Sequence, residues 1–348
     1  MVQPAIERGG AIEAWIVDDT GFPKKGKHSV GVARQYCGQL GKQDNCQVAV
    51  SLSIANHHAS LPIAYRLYLP REWAEDIARR RKARVPDEIE FKTKPDIALE
   101  QIHAAREAGV PIGVVLIDAG YGASTELRTG ITSLGLTYVA GILPQTKVWA
   151  TLPKRRKASG RASSNGKRRK PKRQRISVKE LATRLPKSAW KKITWREGSA
   201  DSLSSRFARV RACAAPQGDK ISSSDRSDEW VLIEWPKSEP EPTKYWLSTL
   251  PDNTSFQQLV DLTKLRWRIE RDYQELKQEV GLGHFEGRGW PGFHHHASLC
   301  IAAYGFLVSE RETIPPSGPS PRPIFAQPTI PANYRPRGAA NPPRTSHP

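Results

Sequence analysis

Two apolar runs that each end in aspartate constrain this chain most. Glu13–Val17 (Glu-Ala-Trp-Ile-Val) leads into Asp18-Asp19, and Pro111–Ile117 (Pro-Ile-Gly-Val-Val-Leu-Ile) leads into Asp118. A run that is apolar at successive positions reads as a strand covered on both faces. An acid closing such a strand sits at the sheet's edge, where loops admit a ligand. The elements around the two runs say how they meet. Val48, Val50, Leu52 and Ile54 alternate along Gln47–Ala55, and Ile63–Leu69 alternates again, so the first three strands form an antiparallel meander. Gly21–Gly26 reads as a turn-rich basic loop.

A helix from Pro95 to Ala108, closed by Gly109, precedes the second run. Ser124 caps a further helix ending near Gly135, and Thr137–Leu143 is a fifth strand. The expected fold is α/β, a mixed sheet flanked by helices, in which the first and fourth strands lie side by side. Asp19 and Asp118 then become neighbours. Two close carboxylates repel unless a cation or proton neutralises them. Hard oxygen donors select Mg2+ (or Mn2+). Either Asp alone is better explained by capping a turn or helix; the two together are not.

The middle of the chain changes character. Residues 154–179 hold 13 Lys or Arg and no acid. Ser177 and Glu180 have capping-box spacing. Strand-like pieces follow at Lys192–Trp195, Arg206–Cys213, Trp230–Trp235 and Tyr245–Leu250. We expect a core over 11–145, a β-rich insertion with the basic loop over 146–252, and a helical return to the core over 253–310. The stretch 314–348, with 11 of the chain's 28 prolines in it, is expected to be a disordered tail.

The helical return carries a third acid. Its apolar spacing predicts one helix from Ser255 to about Val280, and a second over His295–Val308. Arg266, Glu270 and Lys277 fall within roughly 40° of one another on a helical wheel. That face presents a carboxylate between two cations, or else a solvated row of ion pairs. Asp272, Glu275 and Glu279 are alternative acids nearby. Trp267 is either a base-stacking residue or a core tryptophan. His294-His295-His296 cannot all face one ion from a helix, so packing or a polar helix start explains them better.

Composition narrows the partner. The formal charge is +19, which favours a polyanion, nucleic acid before membrane. There is no apolar run of membrane-spanning length and no leader-like start, and the four cysteines are scattered. A reducing, cytoplasmic setting follows as the expectation. Lys154, Arg155, Arg156, Lys167, Arg168, Arg169 and Lys170 read as a track for phosphate backbone, or as a solvated loop. Lys24, Lys25 and Lys27 stand beside the first Asp and are placed to touch the same substrate.

Three stretches together resemble a known family. They are Val17–Lys27 with Ser29–Gly38, then Val115–Gly122, then Leu265–Lys277 continuing to Gly281–His284 and Phe293–His296. They are similar to insertion-sequence transposases of the DDE, ribonuclease H-like superfamily, in the branch with a β-rich insertion before the last catalytic helix. The resemblance spans about residues 11–308. It implies Asp19, the Asp preceding Thr, with Asp118 and Glu270 as catalytic acids binding two metal ions. It also implies Arg266 and Lys277 as DNA-binding residues, double-stranded DNA (transposon ends and target) as substrate, a homodimer on DNA, and a nucleoid setting. The family's Tyr three residues before the Arg is replaced by Thr263. Only 18 residues precede Asp19, so a truncated, inactive copy that still binds DNA is the alternative expectation. An RNA-directed protein of the same fold ranks third.

Overall fold

The computed structural model describes residues 2–151, 173–197, 202–215 and 227–314. The basic residues from Lys154 to Lys170 and the tail beyond Ile314 lie outside these, so the expectations placed on them have no structural counterpart here.

The first half runs α1 (Val2–Arg8), β1 (Ala14–Pro23), β2 (Ala33–Cys37), β3 (Lys42–Ala55), β4 (Ser60–Leu67), α2 (Arg71–Ala74), α3 (Ile77–Ala83) and α4 (Lys94–Glu107). Next come β5 (Val114–Ile117), α5 (Ala119–Gly122), α6 (Thr125–Ser133) and β6 (Tyr138–Ile142). The second half runs β7 (Lys147–Thr151), β8 (Arg173–Ser177), α7 (Val178–Arg184), β9 (Lys191–Glu197), β10 (Ser202–Ala214), β11 (Glu229–Trp235) and β12 (Lys244–Ser248). It closes with α8 (Phe256–Leu265), α9 (Trp267–Gln278) and α10 (Trp290–Thr313).

The sheet is mixed, as expected. β3 is antiparallel to β1, with β2 and β4 both pairing with β3. β5 is parallel to β1 and β6 parallel to β5. The order β4-β3-β1-β5-β6, with α4 crossing from β4 to β5, is the ribonuclease H-like arrangement anticipated from the sequence. Ala14, Trp15, Ile16 and Val17 are all 0% exposed. Successive strand residues point to opposite faces, so both faces of β1 are covered. The strands β12, β11, β10, β7 and β8 continue the same sheet outward from β6.

Several expectations are corrected. The stretch from Gly21 is not yet a loop, because β1 runs on to Pro23, paired residue by residue with the long β3. The two aspartates therefore sit in mid-strand. β5 stops at Ile117, which leaves β1 without a neighbour on that side just where its acids begin. β2, β7, β8, α2 and α3 were not anticipated. The long helix from Ser255 is two helices that meet at Arg266. Thr263 donates its hydroxyl back to the Leu259 carbonyl at 2.6 Å, a bond that bends helices. α10 begins at Trp290, so the three histidines lie within a helix. His294 and His296 bond to backbone groups of Leu67, Trp290 and Gly281, which is packing.

Local chemistry fixes the elements around Asp19 and Asp118. Thr93 and Asp96 form a reciprocal capping box at the start of α4, with Pro95 in its first turn. Asp118 caps the single turn α5 by accepting from the Tyr121 N–H at 3.0 Å. That turn lies backbone-to-backbone on β6, and neither Gly122 nor Gly141 has room for a Cβ.

Candidate active site

A cleft of about 930 Å³ opens where β1 outruns β5. Asp18, Asp19, Asp118 and Glu270 line it, together with Arg266 and Lys277. Residues 248 positions apart thus meet: the Arg266 guanidinium bonds the Asp18 carboxylate at 2.7 Å and stands 3.8 Å from Glu270. Asp272 and Glu275 lie elsewhere, beside Ser60 and Tyr304. Trp267 is half-buried beside the Arg268 guanidinium and is not part of the cleft wall. Lys24 donates to the Phe285 carbonyl, and Lys25 is exposed outside the cleft.

The two aspartates of β1 have different neighbours. Ile16 is in register with Leu116, so the same count brings Asp18 beside Asp118. Asp19, one residue on, projects to the other side of the strand. Its Oδ2 accepts from Lys94 Nζ at 2.8 Å and from the Tyr121 hydroxyl at 3.3 Å. Lys94 and Tyr121 were not singled out in the sequence, and Asp18 was passed over for Asp19. The signals were there: Lys94 opens α4 directly behind its cap, and Tyr121 belongs to the Asp-Ala-Gly-Tyr-Gly stretch.

The cleft gathers partly buried charges of both signs. Burial pushes the Asp18 carboxyl up to about 6, Arg266 opposes this, and Asp118 adds to the rise. For Arg266, burial works against the charge, yet Asp18, Asp118 and Glu270 more than offset it. Lys277 is pushed down to about 8 by burial. Its ammonium donates to the Gly21 carbonyl at 2.7 Å and to Gln39 at 3.2 Å. Outside the cleft, burial also raises Asp272 to about 6.

These shifts predict a titration. Native Asp18 and Asp272 hold a proton more tightly than the unfolded chain does. Their contribution to stability is therefore complete below about pH 3.8 and is lost as pH rises through about 6. Each is worth about 3 kcal/mol across that window. Carboxyl 13C NMR of the metal-free protein should show two aspartates with midpoints near 6. Midpoints all below 5 would contradict the packing described.

A sequence model of the DDE superfamily endonucleases matches residues 1–202, more than half of the chain. The chain belongs to this family. A probable transposase for insertion sequence element IS701 from Microchaete diplosiphon is 34% identical to this DDE family member over 128 residues. That match covers 36% of this chain and 31% of the relative, so the chain spans under a third of the relative's length. The NurA nuclease from Sulfolobus solfataricus aligns over 86% of this chain and 85% of its own at 7% identity, with a TM-score of 0.28, too low to bear on the fold. No helix among the described residues of this DDE family member is long and apolar enough to cross a membrane. Among the same residues no three His, Cys, Asp or Glu side chains are gathered as a ready-made metal cage. The expected acids all line the cleft, but Glu270 remains 72% exposed and leans toward Arg266.

Proposed function

We infer that the cleft is the active site of an insertion-sequence transposase that cuts and rejoins DNA strands with divalent metal. One observation carries this reading: acids from β1, from the end of β5 and from α9 line a single cleft, with Arg266 and Lys277 between and beside them, in a DDE family member.

The residues present fit a divalent cation. Four carboxylates supply hard oxygen donors, and the buried Asp18 beside Asp118 is offset by Arg266 and by the Asp19 backbone N–H. Asp19, Asp118 and Glu270 would hold the ions, two in number, with Asp18 joining from the same strand. Bound there, Mg2+ or Mn2+ would supply Lewis-acid activation of an attacking oxygen and stabilisation of a leaving one. The chain's own groups do the rest. Arg266, which pairs with Asp18 and stands near Glu270, has the planar fork that suits a phosphate. Lys277, anchored to the Gly21 carbonyl, places a second positive charge along the strand. Lys94 and Tyr121 hold Asp19 in one orientation. The substrate is double-stranded DNA, both transposon ends and target, and joining two ends calls for a homodimer on DNA.

Purified protein with supercoiled plasmid and Mg2+ should convert it to open circles and linear products, and chelator should stop the reaction. Salt-sensitive DNA binding with no nicking under any divalent metal would instead mark a binding-only remnant. In the carboxyl titration, Mg2+ should lower the Asp18 midpoint and leave Asp272 near 6. An unmoved Asp18 would count against metal in this cleft.

A further inference from the structure

The chain leaves the cleft wall at Tyr68 and returns to it at Thr93, Lys94 and Pro95. Between these points it forms α2 and α3, so this excursion is anchored at both ends beside the candidate active site. α3 reads Ile-Ala-Arg-Arg-Arg-Lys-Ala and is followed by Arg84. Two of its cations are structural. Arg79 stacks on Trp73, 3.7 Å from the ring centroid, and Arg80 donates to the carbonyls of Ala74, Pro86 and Asp87. Arg81, Lys82 and Arg84 are exposed, and no side-chain partner is found for them among the described residues.

Two other segments meet α3. Arg79 reaches the Lys27 carbonyl at 3.3 Å, which sets the loop carrying Lys25 and Lys27 beside the helix. The Val30 N–H bonds the Arg288 carbonyl, and Gly289 packs on the carbonyl of Ala83. Lys25, Lys27 and Arg288 are likewise exposed. Six solvent-facing cations from three segments therefore form one rim. Asp76 is engaged as the cap of α3, and the exposed acids nearest in sequence to the six cations are Asp87, Glu88 and Glu286.

Arg84 adds a second, independent observation. It has φ 54°, and among the described residues every other positive φ belongs to glycine. It closes α3 in the left-handed position where glycine is the usual occupant. An arginine there is disfavoured by the backbone, so its presence points to a use for the side chain.

We propose that this rim, built from α3 with Arg84, the Lys25–Lys27 loop and Arg288, seats the phosphate backbone of duplex DNA flanking the strand in the cleft. It rests on the DNA reading above and adds the surface that grips the duplex away from the reacting bond. Contacts of this kind are sequence-indifferent and salt-dependent.

The test uses the full chain, a labelled 30-base-pair duplex of arbitrary sequence, and chelator throughout, so that metal chemistry does not enter. Anisotropy titrations across salt give the slope of log affinity against log salt. The variant is Arg81→Ala with Lys82→Ala and Arg84→Gly; its control is Arg106→Ala with Lys187→Ala and Lys237→Ala, which removes the same charge elsewhere. The rim variant should lose about 2–3 from the slope and on the order of 10-fold in affinity near 0.1 M salt. The control should lose much less. Arg84→Gly alone should raise the melting temperature while weakening binding, an opposition that a structural role cannot produce. Equal losses in rim and control overturn the rim and leave the transposase reading intact. A wild-type chain that binds no duplex overturns both, and tighter binding of an RNA duplex of equal length overturns the choice of DNA.

Discussion

Asp118→Asn is expected to abolish strand cleavage and to leave DNA binding close to wild type. Asp118 sits at the end of β5, beside Asp18 in register, and it caps α5 through the Tyr121 N–H. Asparagine keeps an acceptor for that cap, so the fold survives. It removes a charged oxygen donor, so the cleft loses a ligand. The loss should exceed the roughly 10- to 100-fold that follows removal of a mere supporting partner of a metal ligand. Glu270→Gln is expected to behave the same way; its side chain is largely exposed and contributes little to folding. Asp19→Asn should also lose cleavage, because Lys94 and Tyr121 both hold its carboxylate. If Asp19→Asn cleaves normally while Asp18→Asn does not, the first acid is Asp18. Plasmid nicking and duplex binding, measured side by side, read all four variants. Full activity in Asp118→Asn would remove the chemical proposal altogether.

Glu234→Ala is expected to destabilise the protein by roughly 3–5 kcal/mol. Glu234 on β11 is almost fully buried and meets Lys264 of α8 at 2.7 Å. The ammonium lies 4.4 Å from the Trp195 ring centroid, 5.5 Å from Phe207 and 5.6 Å from Trp246. Burial pushes Lys264 below the usual lysine range, and Glu234 opposes this. Removing the carboxylate strands a cation among three aromatic rings. Replacing both partners, Glu234→Leu with Lys264→Met, should recover most of the loss, because no charge is left unpaired. Urea unfolding of the single and double variants checks this. A single variant within about 1 kcal/mol of wild type would show that water already reaches the pair.

Much of the scaffold could be read from the residues. The apolar run before Asp118 signalled a strand covered on both faces, and the structure buries Val115, Leu116 and Ile117. Thr263 was noticed only as the place of a missing tyrosine. Its hydroxyl bond to Leu259, which helps end α8 near Arg266, leaves no mark in an apolar period. α2 and α3 are short and charged, so periodicity has nothing to register there. β2 pairs only with one end of β3, and its existence depends on how far that strand extends. In the site, helix spacing put Arg266, Glu270 and Lys277 on one face, and the family resemblance brought that face to Asp118; all four line the same cleft. The choice between Asp18 and Asp19 was not, because it turns on which partners sit across 75, 102 and 248 residues of intervening chain.

β6 has β5 on one edge and β12 on the other. The outer strands are thus not hung from the centre by a hinge; they are stitched to it by unbroken main-chain hydrogen bonds. The outer half of the sheet and the strand that leads to Asp118 therefore belong to one hydrogen-bonded ladder, with β6 as the shared rung.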